Sequence, residues 1–198
     1  MKGWRNYQSH CLHKQSKIIF MQGNKITIYT DGAAKGNPGR GGWGAVIIFA
    51  DNDKLKVESA KLKVVEIGGS SPHATNNQME LIAAIEALKY LKQYPYPASP
   101  YSRGRSKEGV NFIEIISDSK YVILGITEWI EGWMQNGWRN AAKKPVLNKE
   151  LWEELYKLNK EVNPKWVYVK GHHEDKYNDR ADLIATSFAD GEPVELKK

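Results

Sequence analysis

Two strand-like runs of this chain each end in an aspartate, which restricts the folds it can adopt. Asp31 follows the run 26–30, and Asp118 follows the run 112–117. Taken singly, each acid has a structural explanation, because Asp-Gly after a strand marks a turn and an aspartate before a helix can cap it. The pair gains meaning only if both strands belong to one sheet.

Two further acids lie on apolar helical faces. At about 100° per residue, the apolar residues of 81–91 form one arc that also contains Glu80. Asp182 lies at the edge of the apolar stripe of 178–189, whereas Asp179 is rotated clear of it. Acids on apolar faces cost free energy unless a cation compensates them. Convergence of the four acids on one rim of a sheet therefore indicates a site for hard divalent cations, which points to phosphoryl-transfer chemistry.

The order of strands and helices predicts a single α/β domain over 25–190. The pattern predicts strands at 25–31, 43–49, 56–67, 112–117 and 164–170, with a turn at 36–42. It predicts helices at 76–91 and 178–189 and over much of 119–161, with interruptions near Gly137 and Pro145. Three strands in an antiparallel meander, followed by alternating helices and strands, give a five-stranded mixed sheet with helices packed on it.

Three segments fall outside this pattern. Residues 1–24 lack hydrophobic periodicity and are expected to be a flexible N-terminal extension, with Met1 and Met21 as alternative translation starts. Residues 92–110 form a long proline-containing loop insertion, a kind of segment that is usually functional or disordered. Residues 191–198 form a C-terminal tail.

Composition sets the class of protein but does not identify its ligand. A chain of 198 residues with 41% apolar content can bury one core. The net charge is +6, but residues 1–24 carry four bases and no acid, so the remainder carries 6 − 4 = +2. This overall charge does not distinguish a nucleic-acid binder. The single cysteine, Cys11, and the lack of any apolar run of membrane-spanning length favour a reducing, cytoplasmic setting without a membrane partner.

Seven segments, in order, resemble the type 1 ribonucleases H of bacteria. They are 28–39, 75–81, 117–122, 125–130, 143–146, 169–172 and 178–182. The resemblance implies a ribonuclease H-like fold and endonucleolytic hydrolysis of the RNA strand of an RNA–DNA hybrid, giving 5′-phosphate and 3′-hydroxyl ends. It also implies that Asp31, Glu80, Asp118 and Asp182 hold two Mg²⁺ ions, with Mn²⁺ as a substitute. Two such ions ~4 Å apart would clamp the attacking and leaving oxygens of an in-line displacement. No obligate protein partner is expected, and the chain would act as a monomer.

A fifth catalytic residue is expected in the segment 170–173. By the same resemblance, His172 corresponds to a mobile-loop histidine that assists proton transfer or product release. The adjacent His173 is the alternative. Spacing to Asp182 favours His172.

The resemblance also implies two groups of substrate contacts. A hybrid displays 2′-hydroxyls in a wide, shallow groove, which glycine amides and short polar side chains can approach. The expected groove residues are Gly32, Asn37, Asn76, Asn77 and Lys120, and turn or capping roles for the same residues are compatible with this. Segment 125–149 resembles a basic protrusion that holds the DNA strand, with Trp133, Trp138, Arg139, Lys143 and Lys144 as its expected contacts. Glu131 and residues 134–136 make it less basic than in strongly basic relatives, so weaker affinity is expected.

Two other functions are compatible with such a chain. One is a non-catalytic hybrid-binding protein on the same fold, but binding alone would not require converging acids. The other is a related nuclease domain of integrase or reverse-transcriptase type, which the lack of flanking polymerase or DNA-binding segments disfavours.

Overall fold

The sheet has the predicted five strands and mixed direction. The computed structural model describes residues 25–50, 62–93, 112–171 and 175–198. Its strands are β1 (Lys25–Gly36), β2 (Gly39–Ala50), β3 (Leu62–Ala74), β4 (Phe112–Ser117) and β5 (Lys165–Tyr168). They lie in the order β3-β2-β1-β4-β5. β1 to β3 form an antiparallel meander, and β4 and β5 continue the sheet in parallel.

Helices cover both faces of this sheet. They are α1 (Asn76–Gln93), α2 (Lys120–Leu124), α3 (Ile130–Gln135), α4 (Lys149–Val162) and α5 (Lys176–Asp190), with a π-helical turn, Gly125–Trp129, between α2 and α3. α1 and α4 share the larger apolar core, in which Trp152 is fully buried. α5 packs on the opposite face against a smaller cluster that includes Tyr29 and Ile184. No described helix combines the length and apolar character needed to cross a bilayer.

The β1–β2 hairpin is longer than predicted. The proposed turn at 36–42 was wrong in extent, because β1 continues to Gly36 and β2 begins at Gly39, leaving Asn37 and Pro38 between them. β3 likewise continues through glycines and serines to Ala74, although 56–67 was predicted. Residues 56–61 lie outside the described residues. Gly42, Gly44 and Gly68 pair in the ladder and leave space for α5, so they do not end the strands.

The later elements agree more closely with the sequence pattern. The predicted break in the helices of 119–161 is confirmed, since α3 ends at Gln135 and α4 begins at Lys149. Strand β5 is shorter than 164–170, and α5 begins two residues earlier than predicted. The N-terminal extension and nearly all of the 92–110 insertion lie outside the described residues.

Candidate active site

The parallel pairing of β1 with β4 brings the first two acids side by side. Tyr29 lies opposite Ile116 in this ladder. Asp31 follows Tyr29, and Asp118 follows Ile116, by two residues in the sequence. Asp31 accepts a hydrogen bond from the Gly32 amide at 2.8 Å, which orients its carboxyl group.

Helix α1 delivers Glu80 to the same point because Gly32 allows close packing. A Cβ at Gly32 would lie 2.8 Å from the Glu80 Cα and closer still to the Glu80 amide. The helix backbone therefore rests directly on β1. Glycine is required here for a close approach between backbones.

Helix α5 delivers Asp182 from the other face. A Cβ at Gly42 or Gly44 would collide with the backbone of α5, at Ala185 and Ala181 respectively. This close packing places the Asp182 side chain on the wall of the same cavity as Asp31. All four predicted acids thus meet at one rim of the sheet.

The acids line a small, solvent-reachable cavity of about 340 Å³. Oxygens of Asp31, Glu80 and Asp118 lie within 4.8 Å of one another. Asp31 and Glu80 are only 9% and 8% exposed, whereas Asp118 and Asp182 are half-buried. Asp31 and Glu80 thus form an inner, solvent-excluded part of the cluster, and Asp118 and Asp182 form an outer, solvent-accessible part.

Burial and mutual repulsion raise the pKa values of the two inner acids. Burial, followed by the charge of Asp118, raises the pKa of Asp31 to about 8, although the Gly32 amide acts in the opposite direction. The pKa of Glu80 is raised well above its ordinary value, first by burial and then by the charges of the other three acids. A nearby divalent cation would favour the ionised forms and reverse both effects.

The donor set fits a hard cation. Glu80 Oε2 is buried and has no hydrogen-bond partner, and the same holds for Oδ1 of Asn178, which lines the same cavity. Buried polar atoms without partners are uncommon and call for an explanation such as an ion. Carboxylate oxygens are the ligands that Mg²⁺ and Mn²⁺ prefer.

Comparison with known proteins decides the family. A sequence profile described as RNase H matches residues 23–190. A ribonuclease H of Thermosynechococcus vestitus is 48% identical over 170 residues, covering 86% of this chain and 92% of that protein. One of Bradyrhizobium diazoefficiens is 46% identical over 160 residues, covering 81% and 86%. The chain belongs to the RNase H family. It is therefore an endonuclease of the hydrolase class.

Solved structures agree with this fold. LC9-RNase H1, a type 1 RNase H with the type 2 active-site motif, is 24% identical, with a TM-score of 0.68 over 89% of this chain and 78% of that one. LC11-RNase H1, solved in complex with an RNA/DNA hybrid, is 25% identical, with a TM-score of 0.54 over 84% and 97%. The predicted ribonuclease H-like fold is confirmed.

Two of the polar residues predicted for the groove, Asn37 and Asn76, connect the β1–β2 turn to Glu80 at the rim of the cavity. Asn37 Oδ1 accepts a hydrogen bond from the Asn76 amide at 3.2 Å, so the β1–β2 turn caps α1. The Asn76 side chain donates to Glu80 Oε1 at 3.4 Å. Asn77 and Lys120 are exposed, and the Lys120 ammonium lies 5.7 Å from the Tyr168 ring centre. Their roles toward substrate stay predictions.

The protrusion of this RNase H chain has a packed base and a polar tip. Trp133 lies between Trp129 and Trp152, with ring centres 5.7 Å and 5.4 Å away. Trp138 packs against the core, and the Lys149 ammonium lies 5.6 Å from its ring centre. Packing against the core thus explains the partial burial of the Trp133 and Trp138 side chains. Trp129 remains 37% exposed.

The basic side chains at the tip face solvent. Arg139, Lys143 and Lys144 are all exposed. Arg139 donates to the Lys143 carbonyl oxygen at 2.8 Å, which ties the two ends of the tip together. These three residues therefore form an accessible cationic surface.

The predicted histidines, His172 and His173, lie outside the described residues. The preceding Gly171 is described, and a Cβ there would lie 2.6 Å from Asp118 Oδ2. Gly171, the last described residue before the histidines, therefore lies next to the acidic site.

Sequence reasoning did not assign a site role to two polar residues that line the cavity, Asn178 and Asp179. Asn178 is 6% exposed and lies one helical turn before Asp182. That four-residue spacing to a predicted ligand was the available signal.

Proposed function

We propose that this chain is an endoribonuclease that hydrolyses the RNA strand of RNA–DNA hybrids with two bound Mg²⁺ or Mn²⁺ ions. The observation that carries the proposal is the four-acid cavity with the buried, unpartnered Glu80 oxygen. The family membership and a 25% identical relative solved with an RNA/DNA hybrid support the choice of substrate.

The four carboxylates divide into inner and outer ligands. Asp31 and Glu80 occupy the dry inner position, and Asp118 and Asp182 the wetter outer one. When bound, two ions supply Lewis acidity and neutralise charge on the attacking and leaving oxygens of an in-line displacement at phosphorus. Water adds to phosphorus as the bond to the 3′ oxygen breaks, giving a 5′-phosphate and a 3′-hydroxyl.

Proton transfer is assigned to the histidine segment. His172, with His173 as the alternative, would accept or deliver a proton at the scissile phosphate, since imidazole titrates near neutral pH. Gly171, which immediately precedes His172 in the sequence, lies next to the Asp118 carboxylate, and this supports the assignment.

Substrate binding is assigned to two surfaces. The cavity rim at Gly32, Asn37, Asn76, Asn77 and Lys120 would read 2′-hydroxyls of the RNA strand. The protrusion, through Trp138, Arg139, Lys143 and Lys144, would contact phosphates of the DNA strand, with Trp133 supporting it from below. Because the tip carries few basic side chains, hybrid affinity should fall only gradually as the salt concentration rises.

The test is cleavage of a matched hybrid, RNA duplex and DNA duplex by the wild type and Asp118→Asn, with Mg²⁺, Mn²⁺ or EDTA. We expect cleavage of the hybrid's RNA strand alone, metal dependence, and a loss of more than about 100-fold in Asp118→Asn because one ligand is missing. Hybrid binding by the variant should persist.

A matched control is Asp190→Asn, which removes an equally charged residue that pairs with Lys35 on the surface. It should retain full turnover. Binding of the hybrid without cleavage by the folded wild type, in Mn²⁺ as well as Mg²⁺, would instead establish a binding-only protein.

A further inference from the structure

A tyrosine near the acidic site holds the start of helix α5. The Tyr29 hydroxyl donates a hydrogen bond to Asp175 Oδ2 at 2.9 Å. Tyr29 is 8% exposed and lies two residues before Asp31 on β1. Because side chains alternate along a strand, Tyr29 and Asp31 share one face of the sheet. That face is the one on which α5 packs.

The acceptor, Asp175, also caps α5. Its Oδ1 accepts from the Tyr177 amide at 3.0 Å, while its Oδ2 accepts from Tyr29. The rings of Tyr29 and Tyr177 lie 5.7 Å apart. One carboxylate therefore joins the first turn of α5 to the strand that carries Asp31.

Helical spacing connects this junction to the site. Asn178 and Asp182 follow Asp175 by three and seven residues, which places all three on one side of α5. A shift of the first turn would thus move Asp182 along the cavity wall. Small displacements of a ligand shell are sufficient to weaken metal binding.

We propose that Tyr29 and Asp175 are positioning residues whose hydrogen bond holds Asp182 against Asp31 at the distance that divalent cations require. This inference rests on the proposed function, in which both acids are metal ligands. Tyr29 itself touches neither substrate nor cation. A purely structural bond would affect stability but leave cation affinity unchanged.

The experiment measures Mg²⁺ binding to the full-length protein by calorimetry, together with turnover on a hybrid. Tyr29→Phe keeps the ring and removes only the donor. We expect its Mg²⁺ dissociation constant to rise about tenfold, as for other residues that orient metal ligands. Tyr156→Phe, whose hydroxyl contacts Glu131 at 3.4 Å on the exposed side of α4, is the matched control and should bind Mg²⁺ like the wild type.

Two substitutions at Asp175 separate capping from positioning. Asp175→Ser can still cap α5 but is too short to reach Tyr29, so it should weaken Mg²⁺ binding as Tyr29→Phe does. Asp175→Asn keeps one acceptor oxygen for the Tyr177 amide, and its NH2 group can donate to the Tyr29 hydroxyl oxygen, so it should weaken Mg²⁺ binding less than Asp175→Ser does. The double variant Tyr29→Phe/Asp175→Ser should be no worse than either single variant.

The inference would be overturned if Tyr29→Phe bound Mg²⁺ as tightly as the wild type. It would also be overturned if the fold-increase in the Mg²⁺ dissociation constant of the double variant equalled the product of the two single-variant increases. Failure of the proposed function has a different signature. In that case the wild type itself would not bind Mg²⁺, or Asp118→Asn would bind it equally well, and the positioning role would fall with the site.

Discussion

Helix α1 carries Glu80 to the cavity from one face of the sheet, and α5 carries Asp182 from the other. α1 has nine buried residues, and apart from Glu80 all of them are apolar. The six buried residues of α5 are small or polar, apart from Ile184. Each helix therefore supplies one carboxylate to the cavity, but α1 is held by extensive apolar packing and α5 by much less apolar packing.

Polar contacts attach α5 to the sheet in addition to its limited apolar packing. Besides the Tyr29–Asp175 bond, Arg180 makes two hydrogen bonds to Glu66 on β3, at 3.0 Å and 2.7 Å. The Glu66 side chain is only 1% exposed, which makes this a nearly buried ion pair. Burial alone would raise the pKa of Glu66, but the hydrogen bonds from Arg180 and the Lys197 amide lower it below its ordinary value.

The C-terminal tail completes this attachment. The Lys197 carbonyl accepts from the Glu66 amide at 2.8 Å, and the Lys197 amide donates to Glu66 Oε2 at 3.0 Å. Val194 and Leu196 pack on the cluster beneath α5. Apolar packing provides most of the attachment of α1, whereas polar contacts provide a larger share of the attachment of α5. Removing one interhelix or helix–sheet polar contact should therefore weaken the attachment of α5 more than that of α1.

The largest effect on stability and turnover should come from adding a side chain at Gly32, where α1 packs directly on β1. Gly32→Ala places a methyl group inside the α1 backbone, and we expect a loss of about 3 kcal/mol of stability, the upper range for overpacking, and near-complete loss of turnover. Gly132→Ala in α3, where a Cβ meets nothing within 4 Å, should instead stabilise by about 0.5–1 kcal/mol. Denaturant unfolding and hybrid cleavage measure both. Activity near wild type in Gly32→Ala would show that α1 is not fixed by this contact.

A smaller effect of opposite sign is expected from neutralising the acid on α1. Without metal, Glu80→Gln removes a carboxyl group whose ionised form is disfavoured by burial and by the charges of the other three acids, so it should raise stability above pH 4.5, where the unfolded carboxyl group is already ionised. Asp182→Asn, on α5 and half-buried, should change it much less. Both variants should lose activity. Thermal melts in EDTA distinguish the two helices.

The same melts should depend on pH in a defined way. The unfolded chain releases the proton of Asp31 near its ordinary pKa of 3.8, whereas the folded chain retains it until about 8. Between these values the folded state binds more protons, so metal-free stability should fall as pH rises through this window. Added Mg²⁺ should restore stability most strongly at the alkaline end. A flat profile in EDTA would contradict the raised pKa values.

Local patterns sufficed to predict the sheet and the main helices. The four acids were proposed as a set, because Asp31 and Asp118 end apolar runs and Glu80 and Asp182 lie on or beside apolar helical faces, and the family resemblance pointed to the same four residues. The extent of the hairpin was not predictable in this way, because Gly42 and Gly68 resemble turn residues until α5 is placed against them. Contacts between distant positions were also out of reach, since Tyr29 and Asp175 are 146 residues apart and Glu66 and Arg180 are 114 apart.

The smallest predicted effect tests the polar attachment of α5 at its second point. Glu66→Gln keeps the shape but removes the charge that faces Arg180, and it should cost about 1.5 kcal/mol, the value of a hydrogen bond to a charged group. For a chain of this size that is a fall of roughly 4 °C in melting temperature. Glu131→Gln, which breaks the exposed pair with Lys160, should change little.

Acid titration gives Glu66→Gln a signature beyond stability. Because the folded pKa of Glu66 lies below its ordinary value of 4.5, the unfolded chain takes up this proton first as pH falls. The ion pair therefore contributes fully above about pH 4.5 and is lost progressively below it. The difference between wild type and Glu66→Gln should narrow over that range, whereas Gly32→Ala should remain destabilised at every pH. An undiminished difference at low pH would mean that α5, like α1, is held by shape and not by charge.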